Sequence, residues 1–147
     1  MLLAEVYKEI VRRTARMVAG WQLVGWCHGV QNTDNMSILG ITLDYGPFAF
    51  MDRFDWDYVC NTSDDGGRYT YRRQPEMCRW NCERLGEAWA PAMPGVDWKA
   101  ELKGAFDDEF KRAHLAGARK KVSCRACRAG DSKKCSDRML FCSTCLH

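Results

Sequence analysis

No apolar run in the 147-residue chain approaches the ~18 residues that a membrane-spanning helix needs, so no membrane partner is expected. No secretory leader is expected from the first residues given, because Leu2-Leu3-Ala4 is too short and acidic Glu5 follows at once. Without such a leader a disulfide framework is not expected, and nine cysteines, an odd number, cannot all pair with one another. Neither sign of charge dominates the whole chain, at a net +3, but the balance is uneven. Residues 1–118 hold 14 Lys and Arg against 17 Asp and Glu, whereas residues 119–147 hold 8 against 2. A basic tail on an ordinary domain fits that asymmetry, and the body is long enough to bury one core.

What the chain does have is a concentrated polar stretch, His28-Gly29-Val30-Gln31-Asn32-Thr33-Asp34-Asn35, followed nine residues after Asn35 by Asp44-Tyr45-Gly46. Magnesium prefers hard oxygen ligands and keeps several waters. One amide oxygen (Asn35) and one carboxylate (Asp44) therefore suffice where a nucleotide's phosphates complete the shell. Taken alone, Asp44-Tyr45-Gly46-Pro47 also reads as a simple turn, since Asp, Gly and Pro all favour turns. Asn35 at this distance favours the metal reading.

The spacing resembles the catalytic loop of protein kinases, H-R-D-x-x-x-x-N followed by D-F-G, in which the Asn and the second Asp both bind metal. Asn35 falls at the kinase Asn and Asp44 at the D-F-G aspartate. Val30 stands where the kinase base should be and cannot take a proton, and Asp34 is the nearby carboxylate that can. No Gly-rich phosphate loop and no strand with a Val-Ala-Ile-Lys-type lysine precedes His28. The expectation is a central slice of a larger kinase-like protein, with Met1 an adventitious start.

Two runs sharpen the resemblance: NTDNMSILGITLDYGPFAFMD from Asn32 to Asp52, and YVCNTSDDGGRYTYRRQ from Tyr58 to Gln74. Both are similar to the SelO (selenoprotein O) family, and the likeness covers roughly Leu2 to Lys121. Resemblance to that family implies a kinase-like protein adenylyltransferase, which moves AMP from ATP to protein Ser, Thr or Tyr hydroxyls. It implies Asp34 as proton acceptor, Asn35 as magnesium ligand, and Asp44 as the ligand of magnesium and the ATP phosphates. ATP and Mg²⁺ are the implied cofactors. The location it implies is mitochondrial in a eukaryote and cytoplasmic otherwise.

Around this stretch the pattern predicts a helix from Leu2 to about Ala19, with Leu3, Val6, Tyr7, Ile10, Thr14 and Met17 inward and Gly20 ending it. Trp21, Leu23, Val24 and Trp26 then form a short apolar connection within the core. Cys27 beside His28 is not read as a nucleophile, because adjacent residues rarely meet in the required geometry. His28 itself is expected to be structural. Met36 to Leu43 reads as a tight hairpin turning at Gly40, bringing Asp44 back beside Asn35. Alternate aromatics from Phe48 to Tyr58 are placed to pack on a core. Asp64-Asp65 sits in a solvated loop rather than at a second metal site. A helix is expected over Gln74–Trp89 with Cys78 and Cys82 buried, then a break, then a helix capped by Asp97 with Trp98, Leu102, Phe106 and Phe110 inward.

The last stretch carries Cys124-x-x-Cys127 and Cys142-x-x-Cys145. Four thiolates at that spacing suit tetrahedral zinc. The fifth thiol, Cys135, and knuckles without glycine argue for a disordered or non-native tail instead. The tail has one aromatic and no recognisable nucleic-acid fold, so no specific nucleic-acid partner is expected.

The expected fold class is therefore α+β, mostly helical: a partial kinase-like C-lobe over residues 1–121 and a basic Cys-rich tail over 122–147. The alternatives to adenylyl transfer are a phosphotransferase and a catalytically inert kinase-like fragment.

Overall fold

The computed structural model describes residues 2–122. Residues up to His114 belong to one compact unit; a second unit begins at Leu115, and its described part is the end of the last helix. The zinc and disorder expectations for Cys124, Cys127, Cys135, Cys142 and Cys145 lie outside the described residues.

Helix α1 spans Leu2–Val24. Its buried stripe runs through Ala4, Tyr7, Val11, Ala15 and Val18, with Ile10 and Thr14 beside it. Val6, expected inward, is exposed, because the stripe advances by three- and four-residue steps and leaves position 6 on the flank. The outer face carries ion pairs, among them Arg13 Nε to Glu9 Oε1 at 2.9 Å.

Gly20 does not end α1. A glycine inside a helix costs about 1 kcal/mol relative to alanine, less than the burial of Ala19 and Trp21 on either side returns. The helix stops at Gly25, whose φ of +68° is the left-handed conformation of a helix C-cap. The extra turn carries Val24 to the outer face, where it is exposed rather than in the core.

Helix α2 spans Gln74–Trp89, the bounds read from the sequence, with Pro75 in its first turn. A 3₁₀ turn at Ala90–Ala92 breaks the chain before α3, Trp98–Val122. The Asp97 carboxylate accepts from Ala100 N at 3.1 Å and caps α3 as expected. The core joins Tyr7, Val11 and Val18 of α1, Cys78 and Cys82 of α2, and Leu102 and Phe106 of α3. Gly86 of α2 lies so close to Tyr7 and the Trp98 ring that a Cβ there would collide with both.

Strands are minimal. Trp26–Cys27 (β1) pairs antiparallel with Ala49–Phe50 (β2), Trp26 opposite Phe50 and Cys27 opposite Ala49. The hairpin expected over 36–43 is reduced to one antiparallel bridge, Met36 to Thr42. Residues Ser37–Gly40 are consumed by the turn, with Gly40 N bonded to Ser37 O and Leu39 N to Ser37 Oγ. No length is left for a ladder to propagate.

The aromatics after Gly46 differ from expectation as well: Phe48, Phe50 and Phe54 are exposed. Phe48 borders Trp26 and Tyr45, while Phe54 and Trp56 border Tyr71. Among the described residues the fold is α+β and mostly helical, with one two-stranded sheet.

Candidate functional site

The polar stretch leaves β1 at His28, whose side chain is fully buried. Trp21 and Trp26 flank the imidazole, each with its ring centroid 5.5 Å from that of His28. Its Nδ1 accepts from Val30 N at 3.3 Å, so Nε2 carries the proton and donates to Leu43 O at 2.9 Å. Burial lowers the pKa of the ring, which keeps it neutral at pH 7. His28 is thus a structural tie, as its sequence context implied, and it links the loop to the residue before Asp44.

The next turn needs Gly29. Its φ is +86°, and a Cβ there would meet Cys60 Sγ at 2.8 Å. Asn61 Nδ2 donates to Gly29 O at 3.2 Å, and Cys60 Sγ to Cys27 O at 3.4 Å, so residues 60–61 brace this side of the loop. Cys27 is buried, and desolvation raises its thiol to about 12, which removes it as a nucleophile.

Thr33–Asn35 forms a 3₁₀ turn with Asn35 N bonded to Asn32 O at 3.1 Å. Asn35 Nδ2 donates to Val30 O at 3.0 Å and to Asn32 Oδ1 at 3.2 Å. Both amide hydrogens are thereby used, and Oδ1 is left without a hydrogen-bond partner among the described residues. Asp44 is exposed, sits at φ +55°, and makes no ion pair or hydrogen bond among the described residues. A left-handed aspartate is uncommon, and such strain gathers at functional positions.

An unpartnered amide oxygen and an unpartnered carboxylate are the donor chemistry a magnesium ion takes, so these residues fit it. Asp34, also exposed, leaves its carboxylate equally unengaged among the described residues. Val30 contributes only its backbone, with N to His28 and O to Asn35.

The other candidates are occupied. Asp64 accepts from Arg68 N and Tyr69 N through its two oxygens and so organises its own loop. Arg72 pairs with Asp57 at 2.7 Å and Arg73 with Glu76 at 3.3 Å, while Arg68 stacks on Tyr69 and Trp80. None of the three arginines is assigned to phosphate. A cleft of about 340 Å³ lined by Lys8, Arg12, Glu101 and Glu109 lies between α1 and α3, away from Asn35 and Asp44.

Sequence reading missed the buried amides beneath the loop: Gln31, Gln74 and Asn81. The available signal was Gln74 and Asn81 falling at helical spacing on the face that carries Met77, Cys78 and Cys82; Gln31, inside the polar stretch, gave none.

A family model described as protein adenylyltransferase SelO matches residues 2–140 of this sequence. The chain belongs to the SelO family. The match continues past Lys121, where the sequence reading ended the likeness, so the stretch up to Leu140 is covered by the family pattern as well.

Among related proteins, mouse "Protein adenylyltransferase SelO, mitochondrial" is 56% identical over 119 residues, covering 81% of this chain and 18% of the mouse protein. The human protein of the same name is 58% identical over 119 residues, with the same coverage. "Protein nucleotidyltransferase YdiU" of Methylococcus capsulatus is 50% identical over 129 residues, covering 84% of this chain and 26% of that protein. The chain thus spans between 18% and 26% of the length of these SelO-family relatives.

Proposed function

We propose that this chain carries the magnesium-nucleotide portion of a SelO-family adenylyltransferase site, within a partial kinase-like C-lobe over residues 1–121. The observation that supports this most is the pair of unpartnered oxygens on Asn35 and Asp44, on two segments joined through His28. In this reading ATP and Mg²⁺ are the cofactors: Asn35 and Asp44 hold the ion, and Asp44 also orients the phosphates. When bound, the ion offsets phosphate charge and aligns the α-phosphorus.

A protein Ser, Thr or Tyr hydroxyl attacks that phosphorus, and its oxygen forms the new P–O bond. The bond to the β-phosphoryl bridge breaks, pyrophosphate leaves, and Asp34 takes the hydroxyl proton. Names of the mouse, human and zebrafish relatives place those proteins in mitochondria. The same location is proposed here if the source is a eukaryote, and the cytoplasm otherwise.

The test uses a polypeptide of SelO-family length that contains this segment, supplied with ATP labelled at either the α- or the γ-phosphorus. Label is expected to reach protein from the α position. Asp34→Asn is expected to slow transfer by about 10²–10⁴-fold, the usual contribution of a positioned base. Label arriving only from the γ position would replace adenylyl transfer with phosphoryl transfer. No transfer from either would leave an inert kinase-like segment.

A further inference from the structure

We propose that Gln74 is the positioning residue that holds both ligand-bearing segments of this site in one arrangement, an inference that rests on the site proposed above. Gln74 opens α2 and is fully buried. Its Oε1 accepts from His28 N at 2.9 Å, and its Nε2 donates to Trp26 O at 2.9 Å. A backbone N–H can only donate and a backbone carbonyl can only accept, so the amide has a single orientation. The same Oε1 also accepts from Gln31 Nε2 at 2.9 Å. One side chain therefore grips the loop before, at and after His28.

Two branches leave His28. Through Nε2 the ring restrains Leu43 O, next to Asp44; through Nδ1 it restrains Val30 N, and Val30 O in turn takes Asn35 Nδ2. Asn81, two helical turns beyond Gln74, adds a strut from Nδ2 to Gln31 O at 2.9 Å.

Stability alone does not account for this network. Gln31 Oε1 and Asn81 Oδ1 are buried without partners among the described residues, and a half-satisfied polar network is less stable than an apolar filling. What it supplies instead is a single loop geometry. Glutamate would keep an acceptor for His28 N–H, but it would set an oxygen against Trp26 O. Methionine would fill the volume and hold neither group.

Amide hydrogen exchange on the ¹⁵N-labelled chain tests this. With Gln74→Met, exchange at His28 and Val30 is expected to rise about tenfold or more, while Leu102 and Phe106 in α3 keep their protection. The Asn35 side-chain amide resonances are expected to move in the same variant. Gln74→Glu is expected to keep His28 protected and to restore part of the Asn35 shift. Unchanged exchange at His28 and Val30 in Gln74→Met would overturn the proposal. So would equal acceleration throughout α1 and α3, or loss of folding in both variants, since either assigns Gln74 to the core. Failure of the metal reading shows separately, as absence of Mn²⁺-induced broadening at Asn35 and Asp44 in the unaltered chain.

Discussion

At Asn35 the direction of one amide decides the chemistry. Val30 O and Asn32 Oδ1 use its two hydrogens, which turns the question of metal binding into a question about the remaining oxygen. The sequence shows that an Asn stands at the right spacing, and it also shows that Val30 cannot be a base. It does not show that Val30's backbone joins His28 to Asn35, because backbone hydrogen bonds leave no mark on residue type. Gln74 was hidden for a related reason: its partners lie 43, 46 and 48 residues earlier in the chain, out of reach of any local pattern. Gly40 is a residue-scale test of the turn that leads to Asp44. Its φ is +68°, and a Cβ would stand 2.9 Å from the Arg13 carbonyl carbon on α1. Gly40→Ala is expected to lose about 2–4 kcal/mol from backbone strain and collision, read as a shift in urea midpoint at constant slope.

Elements with periodic apolar faces and clear terminators were the legible part of the fold. Pro75 and the Met77-Cys78-Cys82 face located α2, and Asp97 located the start of α3. The end of α1 was misread because Gly20 is a local stop signal that the burial of Trp21 overrides. The 36–43 hairpin was overread because β-prone residues say nothing of how many a turn will consume. Packing of α3 on the core is tested by Leu102→Ala, which removes a side chain 1% exposed and is expected to cost about 2–5 kcal/mol by thermal or urea unfolding.

The link between α1 and α3 has a pH signature. Glu109 is held down to about 2, first by its hydrogen bond to Arg112 and then by that to Arg16. Its ordinary value is 4.5, so the folded state gains from this carboxylate above that pH and loses the gain as pH falls toward about 2. Glu109→Gln is expected to flatten the acid limb of the unfolding-midpoint curve between those limits. An acid limb identical to that of the unaltered chain would show that the pair contributes nothing. Arg16 and Arg112 are substantially exposed, so the effect is modest and shrinks in high salt.

For the whole molecule, the site stands open: Asp34, Asp44 and Tyr45 are all exposed, and the chain spans 18% of the mouse SelO-family relative's length. In water-like surroundings a unit charge pair at 4 Å is worth about 1 kcal/mol, far less than in an enclosed site. Calorimetric titration of Mg-ATP into the isolated chain is therefore expected to give an affinity no tighter than about millimolar. A micromolar constant would show that this segment encloses its nucleotide without further chain.

The most direct measurement concerns the ion. Mn²⁺ titrated with ATP into the ¹⁵N-labelled chain is expected to broaden the Asn35 side-chain amide and the Asp44 backbone resonance first and together. Asn35→Ala is expected to abolish the broadening at Asp44, and Asp44→Ala that at the Asn35 side-chain amide. Broadening centred instead on Asp52–Asp57 or Asp64–Asp65, or surviving both substitutions, would contradict the claim that Asn35 and Asp44 share one divalent ion.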